Sequence, residues 1–288
     1  MNYRHHYHAG NFADVMKHVL LLQLLRGMQR KDKGFLYLDT HAGRGGYQLS
    51  LAARGDSLER KPEWPDGIGR LLSSQGAYPP PVTEFLQLVR SCAKATGATE
   101  TGFYPGSPLL AASVGREQDR LTLCEKHPEE VEHLRDAMSP FRRATVQSID
   151  GYTGLRAALP CAEKRALVLI DPPFEEQNEF ERIALALKEG LRRMPAATFA
   201  VWYPLTERAR IEAFFEQLQH LALPPTWVAE LWVGDDVSGI RMRGCGLLVV
   251  NPPWKLDETI APVLPWLADT LAQAPGEGSS LQWLIHEA

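Results

Sequence analysis

Apolar residues in this chain fall into short unbroken runs divided by polar or glycine-containing stretches. Such runs fit strands buried on both faces of a parallel sheet. Leu167–Ile170 is the plainest; strands are also expected over Phe35–Asp39, Leu121–Glu125, Thr145–Ile149, Thr198–Trp202, Trp227–Val233 and Cys245–Val250, with Leu281–Ile285 as a possible last one. Between several of them the apolar spacing turns helical. Asn11 is a candidate N-cap, after which Phe12, Val15, Met16, Val19 and Leu20 recur on one face. Lys17 and His18 interrupt this pattern and are expected on the helix's wet face; Gly27 and Gln29–Lys33 are expected to end it. Further helices are expected over Glu179–Arg193, Thr206–Leu221 and Leu256–Ala274. Strands alternating with helices predict an α/β, Rossmann-like fold, with a seven-stranded, mostly parallel sheet and helices on both faces.

Between Ser50 and Thr101 the pattern changes. Prolines 79–81 cluster, and helical signals flank them at Gly67–Leu72 and Val82–Lys94. This predicts a small helical insertion over 51–101, dividing 1–50 (tail, first helix, first glycine loop) from 102–288. Arg54, Arg60, Lys61, Arg70, Arg90 and Lys94 lie in it and offer a backbone-contacting surface, although such charges more commonly only solvate a face.

Composition narrows the picture. The 288 residues, 44% hydrophobic, suffice for one large α/β domain with an insertion. A net charge of -4 means that any nucleic-acid contact must be a local patch. Cys92, Cys124, Cys161 and Cys245 are far apart without a CxxC pair, so they read as reduced thiols of a cytoplasmic protein rather than a disulfide frame or a zinc site. Val19–Leu25 is too short to span a bilayer, and no small-residue cleavage site follows it. The tail MNYRHHYHAG is rich in histidine, but its spacing does not set two ligands on one helix face, so no metal is expected. Tyr3, Arg4 and the imidazoles can instead touch anionic or stacked ligands.

The chemistry collects where strands end. After Phe35–Asp39 comes HAGRGG, whose glycines let backbone pass close to a ligand. The dinucleotide fingerprint GxGxxG fails because Gln48 holds the third glycine's place, and no GK[ST] follows. Asp39-xxx-Gly43-x-Gly45 does fit the first motif of S-adenosylmethionine-dependent methyltransferases. Ser107 before Pro108 is a candidate N-cap, and that helix start can hold a carboxylate. Glu125 ends the second strand, where an acid accepts bonds from ribose hydroxyls. Asp150-Gly151 ends the third, where an acid can receive an adenine amine. The fourth run, LVLIDPPF, leaves Asp171, Pro172, Pro173 and Phe174 at the carboxyl end of a central strand. The Asp171 carboxylate and the Pro172 carbonyl can accept both hydrogens of an adenine amine, and Phe174 can stack on its ring. Asn251-Pro252-Pro253-Trp254 is a competing tetrad after Leu247–Val250, but it follows the seventh strand, away from the donor-side acids.

With these pieces in place, the chain resembles the bacterial large-subunit ribosomal RNA adenine methyltransferases of the RlmJ type, essentially end to end. The segments that carry the likeness are YRHHYHAGNFADVMKH, FLYLDTHAGRGGYQL, FYPGSPLLA, the DG pair, LVLIDPPF and VVNPPWKL. The resemblance implies a class I methyltransferase fold, S-adenosylmethionine as cofactor, and methylation of one adenine's exocyclic amine by a monomeric protein. It assigns donor contacts to His18, His41, Ser107, Glu125, Asp150-Gly151 and Asp171, with Gly43 in the donor loop and Asp171 also the catalytic acceptor. Tyr3 matches a tail tyrosine implicated at the RNA, and Arg4 and Lys17 are grouped with it as RNA contacts. Phe174 stands where relatives carry tyrosine, so stacking survives and a hydroxyl is lost. A DNA adenine methyltransferase with the same tetrad and a non-catalytic RNA-binding protein stay open as alternatives.

Overall fold

The computed structural model describes residues 7–49, 61–235 and 242–286. Tyr3, Arg4, Arg54 and Arg60 therefore lie outside the described residues. Helix α1 spans Phe12–Gln29, and the Asn11 side chain caps it by accepting from the Asp14 N–H at 2.9 Å. Strands β1 (Leu36–Asp39), β4 (Arg120–Glu125), β5 (Ala144–Ser148), β6 (Ala166–Ile170) and β7 (Thr198–Pro204) follow the expected runs to within a few residues, as do β8 (Thr226–Trp232) and β9 (Gly244–Val250).

The central sheet has eight strands rather than seven, in the order β10-β8-β9-β7-β6-β1-β4-β5. The extra edge strand, β10 (Gly278–Ile285), pairs antiparallel with β8 along nearly its whole length. It earns its place because Leu281 and Trp283 on one side and Leu284 and Ile285 on the other pack against the two cores. β1 lies between β4 and β6, parallel to both, so the ends of the three strands that carry Asp39, Glu125 and Asp171 share one edge. β5 extends this parallel set beside β4 and brings Asp150 to the same edge. β9 runs antiparallel to both β7 and β8.

Each central strand is buried on both faces. In β6, Leu167 and Leu169 point into one core while Val168 and Ile170 point into the other. The first core is closed by α1, α3 (Pro80–Ala95), α4 (Ser107–Val114), α9 (Leu256–Ile260) and α10 (Val263–Leu271); the second by α6 (Gly151–Ala158), α7 (Glu179–Arg193) and α8 (Arg208–Gln219). α5 (Pro128–Met138) adds Leu134 and Met138 to the first core, and α2 (Ile68–Ser73) adds Ile68 and Leu71. The single helix expected over Leu256–Ala274 is two, because Pro262 lacks the N–H needed to carry the ladder across. A two-stranded ribbon, β2 (Gly46–Gln48) with β3 (Phe103–Pro105), ties together the points where the chain leaves for and returns from the 51–101 stretch.

Two expectations about α1 are corrected. It runs through Gly27, because the bare Cα is where Pro253 packs; a Cβ there would stand 2.6 Å from the proline Cβ. Nor does it have a wet face at Lys17 and His18, which are only 6% and 2% exposed. Apolar side chains surround the helix, so its polar members had to be buried with partners.

The Asn251 tetrad sits at the opposite edge of the sheet from Asp171, since β9 runs against β7. Asn251 is a clamp: at φ +51° its amide donates to Pro195 O at 2.7 Å and Ala197 O at 3.0 Å. Asn251→Ala should cost about 2 kcal/mol, from two lost bonds and a left-handed backbone that alanine tolerates less well. Denaturant unfolding would show that loss while turnover per folded molecule stays at the wild-type level; a collapse of turnover would make Asn251 a reacting group.

Candidate active site

β1, β4, β5 and β6 each deliver an acid to the carboxyl edge, and each acid is met by specific donors. Asp39 is fully buried. It accepts from Ser107 Oγ at 2.7 Å, Tyr37 OH at 2.9 Å and the His41 N–H at 3.3 Å. Burial lifts its pKa to about 6, against the lowering pull of the Ser107 and Tyr37 hydroxyls, and the nearby Asp171 charge adds to the rise. Ser107 does not act as the expected N-cap. Gly106 takes that position, and the serine hydroxyl turns to Asp39, while Pro108 occupies the first turn as anticipated.

The glycine loop wraps around the second acid. Gly43 at φ +59° and Gly45 at φ +86° take backbone conformations that a Cβ would strain. The Gly43 N–H reaches Glu125 Oε2 at 2.9 Å, and the other carboxylate oxygen accepts from His127 N at 2.8 Å. Asp150 caps α6 through the Thr153 N–H at 3.0 Å and receives Arg182 Nη2 at 3.2 Å. Gly151 presses against β1's loop so closely that a Cβ would lie 1.9 Å from Thr40 O. His41 packs edge-on to Tyr152, with ring centroids 5.4 Å apart. Desolvation lowers its pKa to about 3; Asp150 opposes the shift while Lys126 and Arg182 reinforce it, so the imidazole is neutral at physiological pH.

At the centre, Lys17 Nζ binds Asp171 Oδ2 at 2.6 Å and Asp14 Oδ1 at 2.8 Å. Lys17 and Asp171 side chains are 7% and 13% exposed. Burial works against the ammonium, but the two carboxylates outweigh it and hold the lysine pKa well above its ordinary value. One residue on, His18 Nδ1 meets Tyr104 OH at 2.8 Å, just ahead of the Gly106-Ser107 turn. Pro172 is buried. Phe174, at φ +49°, turns back over Phe180 and Trp202, with ring centroids 5.1 Å and 5.8 Å away. The Lys17 ammonium stands 5.8 Å from the Trp202 ring centre.

Of the expected site residues, His18, His41, Gly43, Ser107, Glu125, Asp150, Gly151, Asp171, Pro172 and Phe174 all lie on or beside this edge. Lys17, expected to reach outward from a wet helix face, is instead sealed beneath Asp171. Sequence reading missed Asp14, Tyr37, Tyr104, Tyr152, Arg182 and Trp202. The clue to Asp14 was α1 itself: in a helix with no polar face, Asp14 one turn before Lys17 had to be its partner.

A family model described as Ribosomal RNA large subunit methyltransferase D, RlmJ, matches residues 32–285. The chain belongs to this family. It is 37% identical over 288 residues, the whole of both chains, to the Ribosomal RNA large subunit methyltransferase J of Haemophilus influenzae. Against the Escherichia coli K12 protein of the same name it is 36% identical over 287 residues, again 100% of each. A crystal structure of protein LPL1258 from Legionella pneumophila is similar throughout, with TM-score 0.84 and 34% identity, covering 96% of this chain and 97% of that one.

Asp39 carries a stability prediction. Its folded pKa of about 6 lies above the ordinary 3.8, so between these values the folded state holds a proton that the unfolded chain has lost. Stability from this group therefore falls as pH rises through that window and is level above it. In urea titrations from pH 3.5 to 7.5, wild type should lose up to about 3 kcal/mol relative to Asp39→Asn as pH rises. Parallel curves would mean that Asp39 titrates normally.

Proposed function

We propose that this protein transfers a methyl group from S-adenosylmethionine to the exocyclic amine of an adenine in large-subunit ribosomal RNA, in the cytoplasm. The observation that carries the reading is the Asp171 carboxylate, oriented by a buried ammonium and followed by two prolines at the end of a central strand. Full-length likeness to large-subunit ribosomal RNA methyltransferases supports the substrate class.

The residues present fit the donor. Glu125 offers acceptors for ribose hydroxyls and Asp150 for an adenine amine. Gly43 and Gly151 leave the backbone bare beside them. Ser107, His18 and the neutral His41 lie toward the methionine end. When bound, the cofactor supplies an electrophilic methyl carbon on a sulfonium. The chain's own work is on the nucleophile. An adenine amine is a poor one because its lone pair is spread into the ring. Its two protons bond to Asp171 and the Pro172 carbonyl, which localises that pair on nitrogen and aims it. As nitrogen gains carbon it sheds a proton, which Asp171 is placed to receive or pass to water. Lys17 holds Asp171 in one orientation through their ion pair, so it meets the substrate through that carboxylate. The Phe174 ring forms a wall of the base site. The base must leave its stack to arrive, which favours an unpaired RNA position, and Tyr3 and Arg4 contact the strand there.

Asp171→Ala should reduce methyl transfer at least about a thousandfold while circular dichroism stays native; mass mapping of ribosomal RNA from cells carrying only this variant should show the unmethylated adenine. Wild-type transfer by the variant would end this reading. Tyr3→Ala should raise KM for RNA about tenfold with the donor Kd unchanged, and equal losses in both would deny it a substrate role.

A further inference from the structure

Beyond α8, the carboxyl edge of the sheet is left open on the face that α7 and α8 cover elsewhere. Cross-strand register sets Tyr203, Gly246, Glu230 and Ser280 in one row there, and Gly244, Trp232 and Gly278 in the next. Three of these positions have no side chain, and neighbours lie over the bare backbone. A Cβ on Gly246 would stand 2.1 Å from Tyr203 Cζ, and one on Gly278 would stand 2.7 Å from Trp232 Cζ2. Of the bare positions Gly244 opens, together with Gly234 and Gly276, onto a cavity of about 690 Å³ that the Asp235 carboxylate also lines. That volume falls within the range of small-ligand sites.

The walls carry a specific chemistry. Arg208, 61% exposed at its side chain, donates from Nη1 to Glu230 Oε2 at 3.2 Å. Glu230, only 8% exposed, also accepts from Tyr203 OH at 2.9 Å. The Arg208 Nε also reaches the exposed Glu212 carboxylate at 3.4 Å, which leaves Nη2 turned to the cavity. Arg243 adds a second guanidinium, Trp232 a flat aromatic ring, and Ser280 and Gln282 a hydroxyl and an amide from the edge strand. Guanidinium for phosphate, indole for a base face, and amide and hydroxyl for a base edge are the means by which unpaired nucleotides are held.

The cavity and Asp171 share the sheet's carboxyl edge. β7, whose end borders the cavity, lies directly beside β6. Arg210 Nη2, on the helix that starts at the cavity wall, donates to Gln177 O at 2.8 Å, in the loop that carries Asp171. Trp232 on β8 lies three strand spacings from β6, and Ser280 and Gln282 on β10 lie four, about 14–20 Å, within reach of a residue a few positions away in the same RNA strand.

We propose that this cavity is a second nucleotide subsite, which takes the base and phosphate of an unpaired residue near the target adenine. The proposal rests on the RNA methyltransferase reading above and adds a determinant of which adenine is chosen. It is tested with hairpin fragments of large-subunit ribosomal RNA containing the methylated adenine, and with copies made abasic at each of the three positions on either side. For the wild-type protein, kcat/KM should fall tenfold or more at one abasic position. For the pair of exposed substitutions Arg208→Gln and Gln282→Ala, kcat/KM on intact RNA should fall about as far, the abasic penalty at that position should vanish, and the donor Kd should not change. Trp232→Phe should keep most of the wild-type penalty, because a ring remains. The cavity assignment is overturned if the double variant loses nothing, if it loses equally on intact and abasic RNA, or if wild type ignores every abasic position. Failure of wild type to methylate any of the RNAs would instead overturn the function itself, and the subsite with it.

Discussion

The site depends on one lysine ammonium placed among carboxylates. Asp14 and Asp171 converge on Lys17 Nζ from α1 and from the end of β6. The ammonium between them offsets the repulsion of two largely covered carboxylates. Asp39 is close enough to feel the Asp171 charge, and its pKa is raised even under three donors. The same edge thus holds an acid gripped by a buried ammonium and an acid whose pKa burial raises. The three bonds to Asp39 fix the loop beside Asp171.

This requirement explains why α1 is buried along nearly its full length. A surface helix would offer Lys17 to water, where the ion pair would contribute little. Wrapped by α3, α4, α9 and the sheet, it delivers Lys17 to Asp171 and His18 to Tyr104. Tyr104 lies in β3, which pairs with β2 at the base of the 51–101 stretch and runs straight into the Gly106-Ser107 turn. The first helix, the ribbon and the Ser107–Asp39 bond therefore form one connected polar path behind the carboxyl edge. Any displacement of α1 would be felt both at Asp171 and at the serine.

Much of this was legible in the chain, for identifiable reasons. Three of the four strands that bear acids, β1, β4 and β6, are largely apolar and buried, and such runs survive tertiary context because both faces must be filled; β5 is a half-exposed edge strand. Glycines 43 and 45 and the proline pair at 172 and 173 act locally, through φ and missing donors, so their positions read correctly. Lys17, His18 and Ser107 read wrongly. Their surroundings are set by residues distant in sequence: Asp171, Tyr104 and Asp39. A serine before a proline predicts a cap only while no buried carboxylate competes for its hydroxyl, and here one does at 2.7 Å. The cavity beside β8 and β10 was unreadable for the same reason, because it exists only once the glycines of β9 and β10 stand opposite Tyr203 and Trp232.

The two prolyl tetrads show how far local chemistry underdetermines a site. DPPF and NPPW each follow an apolar strand, and each contains a non-glycine residue at positive φ, Phe174 in one and Asn251 in the other. Either could present a polar head to an adenine amine. Strand direction decides between them. β6 is parallel to β1 and ends among Asp39, Glu125 and Lys17; β9 is antiparallel to β7 and ends at the far edge. There the Asn251 amide is spent on the carbonyls of Pro195 and Ala197, closing the turn into β7, and Pro253 fills the space over Gly27. The same four-residue grammar thus places a carboxylate among charge and bare backbone at one edge. At the other it builds a bracket that holds α1 in place, and so holds Lys17 against Asp171.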